Sequence, residues 1–119
     1  MENGAGTANH QRLVSELLLE FGSRSYVRCW KRIVGVFRDL HSERIVTVGL
    51  PGETDIQGIV LPNARGLFIE VKTGSGKLSD KQKKFRDMVL KFGAIYILAR
   101  SVEQARQDFD SQYYSASKQ

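Results

Sequence analysis

Apolar residues recur along this 119-residue chain in two periods, and the switches between them mark out its elements. Leu13, Val14, Leu17, Leu18 and Phe21 share one face at helical spacing. They predict a helix from about His10 to Phe21, with Gly22 as its stop. Tyr26, Val27, Cys29 and Trp30 favour a strand within Ser25–Arg32. A second strand is predicted over Arg44–Val48, running into a turn at Gly49-Leu50-Pro51-Gly52. Asp55–Leu61 and Leu67–Val71 are two further strands, and Pro62-Asn63-Ala64-Arg65-Gly66 between them has the length of a hairpin loop.

The next helix has the clearest start signal. Ser79 and Gln82 form a Ser-x-x-Gln capping box, Phe85, Met88, Val89 and Phe92 repeat at i, i+3, i+4, i+7, and Gly93 ends the run. Ala94–Ala99 is continuously apolar, as a strand covered on both faces should be. Ser101 and Gln104 offer a second capping box before a short final helix. The order α-β-β-β-β-α-β-α predicts an α/β fold, a mixed sheet flanked by helices. Residues 1–8 and 111–119 are small and polar and are expected to fray, leaving a single-domain core of about 10–109.

Composition narrows the chemistry. A net charge of +5 and a pI near 9.6 favour a polyanionic partner without identifying it. Cys29 stands alone, which excludes a disulfide within the chain and a multi-cysteine metal site; with only His10 and His41, a histidine-rich site is also disfavoured. No apolar run approaches the roughly 20 residues that span a bilayer. The polar stretch Met1–Asn9 lacks a signal peptide's hydrophobic segment. The expectation is a soluble, cytoplasmic protein without a membrane partner.

Against that background, Asp55 and the run Glu70-Val71-Lys72 stand out. Side chains alternate along a strand, so Glu70 and Lys72 share a face, and Asp55 opens the partner strand of the same hairpin. Two carboxylates with a backbone carbonyl and waters suit a hard octahedral cation, and a lysine ammonium can hold a water or offset developing negative charge. Glu-x-Lys alone reads more often as a solvated ion pair than as a site. The surroundings weigh against that, because both carboxylates belong to otherwise hydrophobic strands, where charge is costly. Beyond them lie Lys72, Lys77, Lys81, Lys83, Lys84, Arg86 and Lys91, opposed only by Asp80 and Asp87. Gly74-Ser75-Gly76 beside these cations could offer backbone N–H groups to a phosphate. Arg24, Arg28, Lys31, Arg32 and Arg38 form a second basic group. Gly76-Lys77 is not a P-loop, since Leu78 stands where Ser or Thr is required.

In combination, Gly52-Glu53-Thr54-Asp55-Ile56, Phe68-Ile69-Glu70-Val71-Lys72 and Leu78-Ser79-Asp80-Lys81-Gln82-Lys83-Lys84-Phe85 resemble the PD-(D/E)XK nuclease superfamily. The likeness is strongest to its VRR-NUC branch, including small stand-alone proteins of phage and bacterial origin. Trp30-Lys31 with Gly35 upstream, and Phe92-Gly93-Ala94 and Ser101-Val102-Glu103 downstream, extend it over roughly residues 10–108. The resemblance implies a restriction-endonuclease-like core and a magnesium- or manganese-dependent deoxyribonuclease. Asp55 and Glu70 would be metal ligands together with the Val71 carbonyl, and Lys72 would position or activate water. Gln82 matches a glutamine near the site, a role compatible with capping its own helix. Lys31, Arg32, Lys77, Lys81 and Lys84 are the candidate DNA contacts.

Two departures are visible. The family often carries a glutamate early in the first helix, but here the equivalent place is near Asn9, with Glu16 two turns on as a substitute or as a plain surface carboxylate. Lys31 in place of arginine loses a bidentate phosphate fork. The resemblance favours branched DNA, such as a Holliday junction, cut by a homodimer that presents two sites. Flap or duplex substrates, and a DNA-binding module of the same fold without catalysis, are the alternatives.

Overall fold

The computed structural model describes residues 4–33, 35–38 and 40–117. Its elements are α1 (Gly4–Gly22), β1 (Val27–Lys31), β2 (Gly35–Arg38), β3 (Ile45–Val48), β4 (Ile56–Val60), β5 (Arg65–Val71), α2 (Asp80–Lys91), β6 (Ile95–Ala99) and α3 (Val102–Ser117). A four-stranded mixed sheet runs β1-β4-β5-β6, antiparallel except for the β5–β6 pair. Parallel neighbours need a crossover, and α2 supplies it. The expected α/β architecture, a mixed sheet flanked by helices, is the one observed.

Strand alternation divides the core in two. Leu67, Ile69 and Val71 of β5 join Ile56, Val60, Ile95 and Ile97 beneath Leu13, Val14, Leu17 and Phe21 of α1 and Ala105 and Phe109 of α3. On the opposite face, Phe68, Ala94, Tyr96 and Leu98 meet Phe85 and Val89 of α2. The α2 stripe is narrower than its spacing predicts: Met88 is exposed, and Phe92, the C-cap, is 84% exposed. One helix resting over β5 and β6 offers contacts to a single row of side chains, and these two residues fall outside it.

The sequence reading misses β2. Four residues opening on glycine carry too little alternation to signal a strand. β2 and β3 pair antiparallel, Gly35 with Val48 and Arg38 with Ile45, as a two-stranded ribbon separate from the main sheet. The terminal helices also exceed expectation. α1 starts at Gly4, and α3 is no short helix but runs to Ser117; residues 1–3, 118 and 119, also expected to fray, lie outside the described residues. The α3 extension is held by aromatic contacts, with Phe109 and Tyr113 ring centroids 5.5 Å apart and Tyr113 and Tyr26 5.2 Å apart.

α3 also closes one margin of the sheet. Tyr96 N–H donates to Gln112 Oε1 (2.9 Å), Gln112 Nε2 donates to Tyr96 O (2.7 Å), and Gln104 Nε2 donates to Leu98 O (2.9 Å). Only half of the second capping box forms: Ser101 Oγ accepts the Gln104 N–H, while Gln104 Oε1 accepts from Arg100 N–H rather than from Ser101. No helix among the described residues is long and apolar enough to cross a membrane.

Candidate functional site

The turn before β4 is shaped by Gly52. Its φ is +79°, and a Cβ there would stand 2.2 Å from the Lys81 carbonyl oxygen, so only glycine lets this turn lie against the first turn of α2. The chain then passes through fully buried Thr54, whose Oγ1 donates to Ile56 O at 2.9 Å. Arg32, just past the end of β1, clamps the segment, its N–H donating to Asp55 O (2.8 Å) and its guanidinium to Glu53 O. Asp55 is thereby delivered to the end of the sheet on a fixed backbone.

Ile56 faces Ile69 in the β4–β5 register, so one step further places Asp55 beside Glu70. Asp55 Oδ2 accepts the Val71 backbone N–H at 2.9 Å. Glu70 is only 4% exposed, and its Oε2 accepts from Gln82 Nε2 (3.0 Å) and lies 3.5 Å from Lys72 Nζ. Gln82 also caps its helix, its Oε1 accepting the Ser79 N–H at 2.9 Å in a complete capping box. The structure thus brings Asp55, Glu70, Lys72 and Gln82 together.

Burial, and then the neighbouring Asp55 carboxylate, push the Glu70 carboxyl up to about 7 against the opposing pull of Lys72 and Arg32. Two acids set side by side in a dry environment are short of positive charge. The hydrogen bonds above engage Oδ2 of Asp55 and Oε2 of Glu70, so a cation would take the other carboxylate oxygens, Oδ1 and Oε1, which accept no bond given above among the described residues. Among the described residues no three His, Cys, Asp or Glu side chains form a metal-holding group. A metal here would therefore rest on two carboxylates, the Val71 carbonyl and waters, an oxygen set that fits magnesium or manganese, which keep several waters.

Sequence reasoning missed His10. Its Nε2 lies 3.4 Å from Asp55 Oδ2, placing α1 at the site at the residue next to Asn9, where the missing acid was sought. The signal was present, since His10 precedes Leu13, Val14 and Leu17 on the sheet-facing stripe of α1. Glu16 is exposed and lines a different groove, of about 810 Å³, with Arg12, Thr73 and Arg100.

The basic residues separate by environment. Lys31 and Arg32 join His10 and Asp55 around a cavity of about 200 Å³ beside the site. Lys81 and Lys84 border a shallow apolar depression with Leu50, Phe85 and Met88. Lys77 is exposed on the loop after β5. That loop is tethered, with Arg100 donating to Gly74 O (3.3 Å) and Gly76 O (2.7 Å). The Gly76 N–H is already given to Thr73 O, which removes it from the amides expected to face a phosphate. Arg24, grouped with the basic patch on sequence, is committed to the fold: its guanidinium lies 4.8 Å from the Phe21 ring centroid and 3.2 Å from Glu20.

No family model matches the chain, and no curated protein matches it.

Proposed function

We propose that this protein is a metal-dependent DNA endonuclease of the PD-(D/E)XK type, with the VRR-NUC branch as its nearest likeness. The observation that carries the reading is the convergence of Asp55, Glu70, Lys72 and Gln82 at the end of the β4–β5 pair. Asp55, Glu70 and the Val71 carbonyl would hold magnesium, with manganese as a substitute. When bound, such an ion neutralises charge at a phosphodiester and favours ionisation of a water.

The chain's own groups have separable roles in this reading. Gln82 and Lys72 both hold Oε2 of the Glu70 carboxylate, which restrains its orientation. Lys72, on the same face as Glu70, is the group placed to orient the attacking water and to offset charge on the phosphate. Lys31, Arg32, Lys77, Lys81 and Lys84 would contact the DNA backbone, contributing salt-sensitive and sequence-independent affinity. Branched DNA and a homodimer with two sites follow from the family likeness, since symmetric cutting of a four-way junction needs a pair of active sites.

The experiment is cleavage of four-way junction, flap and linear duplex side by side, with magnesium or manganese. Wild type should cut the junction best, and Asp55→Asn and Lys72→Ala should lose at least about a hundredfold in rate. Preference for flap or duplex would change the substrate and keep the chemistry. Metal-independent, salt-sensitive DNA binding without any cutting would make the protein a binding module.

A further inference from the structure

Tyr96 lies in β6 opposite Phe68, in the layer between sheet and α2. It is 6% exposed, and its hydroxyl is a buried polar atom with no hydrogen-bond partner among the described residues. Buried hydroxyls are normally paired, and an unpaired one is costly to keep. Nothing in the packing asks for it. Phe68 and Phe85 show that the layer accepts bare rings, and the Tyr96 backbone is independently fixed by both amide atoms of Gln112.

The place of this hydroxyl in the fold points to its use. Glu70 lies two residues beyond Phe68 on the same face of β5, diagonal to Tyr96, and Gln82 and Arg86 stand one turn apart on α2, the helix that covers this layer. Arg86 is engaged with Asp87 (2.9 Å), and the Gln82 side-chain oxygen with Ser79. A phenol is protonated at neutral pH, so this hydroxyl is a donor.

We infer that Tyr96 is a positioning residue for Glu70, its hydroxyl donating to the Glu70 carboxylate, directly or across one water, when a divalent cation is held. The inference rests on reading the site as a metal centre. Outer partners of this kind fix the orientation of a ligating carboxylate, and their loss weakens metal affinity.

Tyr96→Phe removes the hydroxyl and keeps the ring. Calorimetric titration of manganese into wild type and Tyr96→Phe, with thermal melts of both proteins in chelator, tests the assignment. The expected result is binding by wild type, a dissociation constant raised about tenfold in Tyr96→Phe, and a melting temperature unchanged or higher. Equal affinity in the two proteins overturns the role of Tyr96 and leaves the metal centre standing. Weaker binding together with a lower melting temperature assigns the hydroxyl to the fold and overturns it as well. Absence of binding by wild type removes the metal centre itself, and the role of Tyr96 with it.

Discussion

Gln82 Nε2 stands 3.0 Å from Glu70 Oε2 while the same amide's oxygen caps its own helix at Ser79, so one side chain ties the start of α2 to the buried acid of β5. The two bonds can be separated. Gln82→Ala loses both and should cost about 1–2 kcal/mol of stability, a fall of several degrees in melting temperature. Gln82→Glu keeps an acceptor for the cap but sets a third carboxylate at the site. In chelator it should melt below wild type at pH 8 and close to wild type at pH 5. Equal melting of the two variants at both pH values would refute the division.

The raised Glu70 carboxyl gives a pH dependence of known sign. Its folded value, about 7, lies above the ordinary 4.5, so the folded protein holds a proton that the unfolded chain releases. The resulting stabilisation is complete below about 4.5 and is lost as pH rises through 7, by up to about 3 kcal/mol. Denaturant titrations in chelator should show wild type losing stability relative to Glu70→Gln between pH 4.5 and pH 8. A constant difference between the two proteins across that range would show that Glu70 titrates normally.

Two glycines with positive φ should respond differently to alanine. At Gly52 the new methyl would meet the Lys81 carbonyl at 2.2 Å, whereas at Gly74, with φ +60°, nothing lies within 4 Å. Gly74→Ala should cost about 1 kcal/mol, from backbone conformation alone. Gly52→Ala should cost at least about 3 kcal/mol, because α2 must shift as well. Chemical denaturation measures both, and similar losses would contradict the close approach.

Arg24 and Lys77 should separate fold from binding. Arg24→Ala removes the contacts with Phe21, Phe109 and Glu20 and should lower stability by about 1–2 kcal/mol with little change in the salt dependence of DNA binding. Lys77→Ala should leave melting unchanged and reduce the slope of log K against log salt by about 1. Fluorescence anisotropy across a salt series distinguishes them, and a reduced slope in Arg24→Ala would return that residue to the DNA-facing group.

What the sequence made legible was local. The cap Ser79–Gln82 and the run Ala94–Ala99 lie within single elements, and Asp55 meets Glu70 through the shortest-range tertiary contact a chain can make, a hairpin. The pairings of His10 with Asp55 and of Arg24 with Phe109 were not legible, because these partners are distant in sequence and meet only when α1, the sheet and α3 have assembled. Strand β2 was hidden for another reason: it is four residues long and opens on glycine, too short a stretch for a period to show.

The glutamines of α3 also give the sheet a direction. With Gln104 and Gln112 occupying main-chain groups at Tyr96 and Leu98, β6 has surrendered them, whereas among the described residues β1 has no neighbouring strand on its outer side. A strand offered by another chain would therefore meet the sheet at β1 beyond Val27, whose N–H is given to Arg24 O and whose carbonyl accepts from Arg28, alongside Lys31 and the clamp on Asp55.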